Sequence, residues 1–153
     1  MFTKDEKKQF NADFWNAYGL YMKKYNQRFG RVRWVNYRSN VKDVFFRLDI
    51  SPKKAKFSIE MQHHDDGIRA LFYEQFLELK GVIKGTIGED LIWEADSFNN
   101  FNQPASTIYC ELLDVSVYKR DDWQKTFQFF EKRMLGLHEF WEEFQEIFKN
   151  LEK

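Results

Sequence analysis

Two short apolar alternations on either side of a turn signal constrain this chain more than any other feature. Val44, Phe46, Leu48 and Ile50 alternate with Phe45, Arg47 and Asp49, and after Ser51-Pro52-Lys53-Lys54 the pattern resumes at Ala55, Phe57, Ile59 and Met61. A period of two puts the apolar set on one side of a strand, and a Pro-centred turn between two such runs predicts an antiparallel β-hairpin. With the turn centred on Pro52-Lys53, Asp43 faces Gln62, Phe45 faces Glu60, Arg47 faces Ser58 and Asp49 faces Lys56. All of these lie on the side opposite the apolar face, because a strand alternates its side chains.

Helical spacing flanks the hairpin. Thr3-Lys4-Asp5-Glu6 fits a capping box, and Phe10, Phe14, Ala17, Tyr18, Tyr21 and Tyr25 follow at helical intervals, which predicts a helix over 4–25. Residues 31–38 are rich in β-formers and predict a strand ahead of the hairpin. Asp65 or Asp66 can cap a second helix carrying Ile68, Leu71, Phe72, Phe76, Leu79 and Ile83, with Gly85 and Gly88 as stop signals. Strands are expected near 91–97 and 106–112 around the polar loop 99–103. A long helical region begins at Trp123, with an interruption expected near Gly136. The expected order is α-β-β-β-α-β-β-α. It describes an α+β fold in which helices flank a mixed, largely antiparallel sheet of about five strands.

The chain has 153 residues, and 43% are hydrophobic, with 17 Phe and 5 Trp, enough apolar material for one dense core. No Gly-, Pro- or Ser-rich stretch reads as a linker, so residues 1–153 are expected to form a single domain. Cys110 is the only cysteine and excludes an internal disulfide; in its strand-like setting it reads as a small buried side chain. The first residues show no apolar signal core, and no run approaches the roughly 20 apolar residues of a membrane span. A cytoplasmic location is the expectation.

Formal charge sums to zero but is unevenly spread: residues 1–42 hold ten Lys and Arg against three Asp and Glu. No acid lies between Asp13 and Asp43. Such asymmetry points to an electrostatic partner, or to self-association between unlike faces as a homodimer.

The hairpin register makes Glu60 a diagonal neighbour of Asp43, at roughly 7–8 Å between backbones, a gap that two carboxylates can bridge through one ion. An acid at the head of one strand and Glu-x-Gln in the next resembles the metal site of PD-(D/E)xK nucleases, whose core runs αβββαβ. The resemblance implies Asp43 and Glu60 as ligands of Mg²⁺ or Mn²⁺ and Gln62 as a third catalytic position. Gln62 stands where that pattern most often carries Lys; it can orient a water but cannot supply positive charge.

A second constellation is basic and aromatic. Arg28, Arg31, Arg33 and Arg38 are interleaved with Trp34 and Tyr37, and cations for phosphates beside rings for bases suit a nucleic-acid surface. The alternative is a charged edge strand with Trp34 in the core. His63-His64-Asp65-Asp66 reads as a strand end leading into a capped helix, since adjacent histidines on a strand point to opposite sides. The glycines between Gly81 and Gly88 end a helix and do not precede one, so they do not form a phosphate loop.

Several segments together are similar to one bacterial family, the domain of unknown function DUF4268. They include Phe14-Trp15, Tyr18 to Met22, Val35-Asn36-Tyr37, Val41 to Asp49, Ile68 to Glu78, Ile92-Trp93-Glu94, Asp122-Trp123 and Phe140-Trp141. The resemblance spans nearly the whole chain but implies no catalytic residues; it does imply that related domains occur attached to larger proteins, some of them nuclease-like. Two function classes are carried forward. The first is a binding or protein-interaction module. The second is a metal-dependent nuclease, or an inactive relative that still binds nucleic acid.

Overall fold

The computed structural model describes residues 1–152. Helix α1 (Lys4–Met22) starts at the expected capping box, in which the Glu6 N–H donates to Thr3 Oγ1 at 3.1 Å and the Thr3 N–H to Glu6 Oε1 at 3.0 Å. One 3₁₀ turn (Lys23–Tyr25) and the short helix α2 (Asn26–Phe29) continue it as far as Gly30. Strands β1 (Val44–Ile50) and β2 (Lys54–Met61) form the predicted hairpin, with Phe45 opposite Glu60, Arg47 opposite Ser58 and Asp49 opposite Lys56.

Helix α3 (Asp66–Glu78) is capped by Asp65, whose Oδ1 accepts from the Ile68 N–H at 2.9 Å, and α4 (Lys80–Thr86) follows directly. Strands β3 (Ile92–Phe98) and β4 (Pro104–Leu113) pair antiparallel, with an irregularity between Glu94 and Ser97. Helix α5 (Trp123–Leu151) closes the chain. The sheet order is β1-β2-β4-β3 and every neighbouring pair is antiparallel.

The expected α+β fold is present, with four strands in place of five. The strand predicted over 31–38 does not form, and the order is α-β-β-α-β-β-α once the short elements are set aside. Asn36, Asn40 and Asp43 take left-handed backbone conformations at φ 58°, 60° and 63°, which interrupt any extended run. The β-forming rings of this segment are instead used one at a time. Trp34 packs edge-on to Phe29 and His138, and Tyr37 packs against Phe46. Only two strands therefore precede α3, so the αβββαβ order of the nuclease core is not reproduced.

Helix α5 also departs from expectation, because it runs unbroken through Gly136. Gly136 is a contact point: a Cβ there would lie 1.9 Å from the Thr86 carbonyl oxygen at the end of α4. Glycine lets the two backbones approach, which is why a residue with low helix propensity sits mid-helix.

One face of the sheet and three helices make the core. Phe46, Ile59, Ile108 and Trp93 share a row across the strands by register, and Trp141 of α5 meets Phe46 at 4.9 Å between ring centroids. Phe14 and Tyr18 of α1 pack on Phe127 and Phe130 of α5, while Phe76 of α3 lies 4.3 Å from Phe148. Cys110 is fully enclosed, as expected, and burial pushes its thiol up to about 12, which leaves it inert at neutral pH. No helix among the described residues is long and apolar enough to cross a membrane.

Candidate functional site

The second face of the sheet carries the polar half of the hairpin alternation. By register, Phe45, Glu60, Thr107 and Glu94 form one row and Arg47, Ser58, Tyr109 and Ile92 the next. These groups bind one another. Glu60 accepts from Ser58 Oγ at 3.0 Å and from Gln62 Nε2 at 2.8 Å, and Arg47 Nε lies 3.4 Å from it. Lys54 pairs with Glu111 at 2.6 Å, and Lys56 sits over the Tyr109 ring at 4.6 Å. The Tyr109 hydroxyl donates to Glu94 at 3.1 Å; burial first and this bond second raise its pKa above the ordinary range.

Asp43 is placed differently from Glu60. Its left-handed backbone (φ 63°) takes it out of the strand alternation, although its carbonyl still accepts from the Gln62 N–H at 2.8 Å. Its charge favours a proton on His63, which is buried and stacked on Phe72. Burial, reinforced by Arg69, nevertheless holds the His63 ring below its ordinary pKa. Neither nitrogen of that ring has a hydrogen-bond partner, and the nearby Lys42 backbone lies outside good bonding geometry.

A guanidinium and an amide directed at Glu60 do not suit a divalent cation, whose ligands must turn their lone pairs to the ion. Among the described residues no group of three or more His, Cys, Asp or Glu side chains could hold a metal. The donor set therefore does not fit Mg²⁺ or Mn²⁺, and no step through a metal is derived.

The basic, aromatic stretch is divided in two. Arg28 and Arg31 join Lys132, His138, Glu139 and Glu142 around a cavity of about 870 Å³ beside α5. Arg33 and Arg38 line a different groove of about 570 Å³ with Lys42, Asp43, Phe45 and Arg47. Trp34 is only 4% exposed, so its ring is not offered to a base. Tyr37 is half-buried and its hydroxyl lies 2.7 Å from His138 Nδ1. Burial raises the Tyr37 pKa, with the Glu142 charge adding, and burial lowers that of His138 against the same charge.

The groove holding Arg33 and Arg38 continues along β1. Asn36, Tyr37, Phe46 and Arg47 line both it and a second stretch of about 470 Å³ that reaches Leu48 and Asp49. Strand β1 is an edge, hydrogen-bonded to β2 alone. Bonds from Gln62 N to Asp43 O and from Ser51 N to Lys54 O, both 2.8 Å, fix which residues face β2. In an antiparallel pair such residues alternate, so Phe45, Arg47 and Asp49 turn their peptide groups inward, while Phe46 and Leu48 turn theirs to the groove. The outward groups of Val44 are already used, its N–H by Val41 O at 3.2 Å and its carbonyl by Ser39 Oγ at 2.6 Å. Among the described residues no other segment bonds the peptide groups of Phe46 or Leu48. No local sequence signal marks this groove, since an edge exists only once the strand order is known.

A family model described as Domain of unknown function (DUF4268) matches residues 10–145. The chain belongs to this family. No curated protein matches it, and no solved structure does. The DUF4268 region takes in α1 from Phe10, the whole sheet, and α5 as far as Gln145, so both sides of the β1 groove lie inside it. Segments that suggested DUF4268 from sequence, such as Phe14-Trp15 and Phe140-Trp141, belong to the aromatic packing between α1, α3 and α5.

Proposed function

We propose that this DUF4268 chain is a binding module whose working surface is the polar face of the sheet with the groove along β1. The observation that supports this reading is the mutual engagement of the polar groups on that face. Glu60 with Ser58, Gln62 and Arg47, Lys54 with Glu111, and Tyr109 with Glu94 make a fixed pattern of charge and hydrogen-bonding capacity. Fixed patterns suit recognition, where geometry set in advance lowers the cost of binding. Chemistry would ask for a carboxylate free to take a metal or a proton.

The test is cleavage of single- and double-stranded DNA and RNA in Mn²⁺ by wild type and Glu60→Ala. The binding-module reading expects no divalent-dependent cleavage by either protein. Cleavage by wild type that disappears in Glu60→Ala would overturn it and establish a nuclease.

A second reading, a nucleic-acid-binding relative of the nucleases, is favoured by Arg33, Arg38 and Lys42, whose side chains have no carboxylate partner among the described residues. It expects affinity for DNA or RNA that falls steeply with salt and is lost in Arg33→Glu with Arg38→Glu. A flat salt response counts against it.

A further inference from the structure

We infer that the groove along β1 takes an acidic, extended peptide segment of a partner protein, which adds to the sheet as a fifth strand; the inference rests on the binding-module reading and names its partner class. Three features of the groove converge on this occupant.

The first is the unused hydrogen-bonding ladder. Phe46 and Leu48 direct their N–H and C=O groups into the groove, and nothing among the described residues bonds them. Proteins ordinarily blunt such an edge, and an edge left open is a template for another strand. The edge is closed at Val44, and Ile50, the next residue to turn its peptide groups outward, ends the strand. Val41 and Ser39 occupy the peptide groups of Val44, and at the far end the Val117 N–H donates to Ser51 O at 3.1 Å. The open length is therefore short and bounded at both ends, which sets a register for an incoming strand.

The second feature is the shape. Residues 33–43 do not pair with β1 but stand off from it, held by the Trp141 indole N–H donating to Ser39 O at 2.9 Å and by the Tyr37–His138 contact. The left-handed turns at Asn36, Asn40 and Asp43 curve this segment into a wall opposite the strand. A peptide between the wall and β1 has backbone partners on one side and side-chain contacts on the other.

The third is charge. Arg33 and Arg38 from the wall, and Lys42 at its end, face the groove without carboxylate partners among the described residues, against two acids likewise without an ion pair, Asp43 and Asp49. Arg47 on β1 is already matched by Glu60, while Lys56, across from Asp49 in register, sits over the Tyr109 ring. The excess is positive, so an acidic segment is preferred over a basic one.

A second copy of the chain offers its own β1 less well. Its β1 carries one cation, Arg47, and one acid, Asp49, and so brings no net negative charge to the positive groove. Nucleic acid would meet the cations but has no use for the peptide ladder.

The experiment uses the full chain and two synthetic peptides, one alternating Glu and Val and the other alternating Lys and Val. The expected result is that the Glu peptide binds and slows amide exchange of Phe46 and Leu48 by about tenfold or more, as a newly made hydrogen bond would. Affinity should fall about tenfold in Arg33→Glu with Arg38→Glu, exposed positions whose change leaves the core intact. N-methylation of the peptide at alternate residues should abolish binding in one of the two phases. Equal binding of the Lys peptide, absence of binding at millimolar peptide, or binding without slowed exchange at Phe46 and Leu48 would each overturn the inference. So would displacement of the Glu peptide by single-stranded DNA with the same two amides protected, or a dimer in sedimentation that protects them without peptide. Mn²⁺-dependent cleavage lost in Glu60→Ala would instead sink the parent reading, whatever the peptides do.

Discussion

The carbonyl oxygen of Thr86 comes so close to Gly136 that a single methyl group on that glycine would sit 1.9 Å from it. The contact joins the end of α4 to the middle of α5 and leaves the glycine no room for a side chain. Gly136→Ala is expected to destabilise the protein by about 1–3 kcal/mol, the usual cost of overpacking, in spite of alanine's better helix propensity. Urea denaturation of the variant measures this, and a gain in stability would show that α4 gives way without cost.

Arg133 is nearly fully buried and holds Asp90 with both ends of its guanidinium, at 2.6 and 2.9 Å, while also donating to Ile87 O at 3.1 Å. Burial alone would raise the Asp90 carboxyl, but the Arg133 bonds outweigh it and hold the group below its ordinary range. A depressed folded-state pKa contributes stability above the unfolded value of 3.8 and loses it as pH falls through the folded one. Asp90→Asn should cost about 1–2 kcal/mol at neutral pH, a figure kept low because Asp90 is 58% exposed. The deficit should vanish in acid, which denaturation at several pH values would follow.

His63 and His138 both titrate below their ordinary value of 6.5, each chiefly because burial disfavours the charged ring. Asp43 opposes the shift at His63 and Glu142 opposes it at His138. The unfolded chain therefore takes up protons first, so stability is full above about pH 6.5 and declines as pH falls below it. His63→Asn and His138→Gln should each flatten that decline. A pH-independent midpoint in wild type from neutrality to mild acid would contradict the assignment.

Phe148 lies beyond the family-matched residues 10–145 yet is fully buried, 4.3 Å from the Phe76 ring and 5.1 Å from the Trp141 ring. Phe148→Ala should cost about 3–5 kcal/mol, as for other large-to-small core changes. A loss well under 1 kcal/mol by thermal or urea unfolding would mean that the last turns of α5 are dispensable.

The hairpin register was legible because period-two alternation rules out pairings that differ by one residue, and the turn centred on Pro52-Lys53 selects one of those that remain. Helix starts at Thr3 and Asp65 were legible because a cap is a contact between residues three apart. Residues 31–38 misled for a physical reason. Aromatic and β-branched side chains favour a strand only when a neighbouring strand is there to pack them, and here Trp34 and Tyr37 find α5 instead. The Glu60 site was legible as a position and not as a chemistry. The register named its strand neighbours, but the approach of Arg47 and Gln62 to its carboxylate depends on side-chain geometry that spacing does not carry.

The sequence by itself therefore determined the helix caps at Thr3 and in the Asp65-Asp66 pair, the hairpin pairing and the division of its two strands into an apolar and a polar side, since these follow from periodicity and contacts a few residues apart. Tertiary structure decided which strand is the edge, where the wall 33–43 stands, and that Arg28 and Arg31 part company from Arg33 and Arg38. Those outcomes hang on contacts about a hundred residues apart in sequence, such as Trp141 with Ser39 and His138 with Tyr37. Neither partner's neighbours in the chain carry any mark of the other, so the groove along β1 exists only in the folded protein.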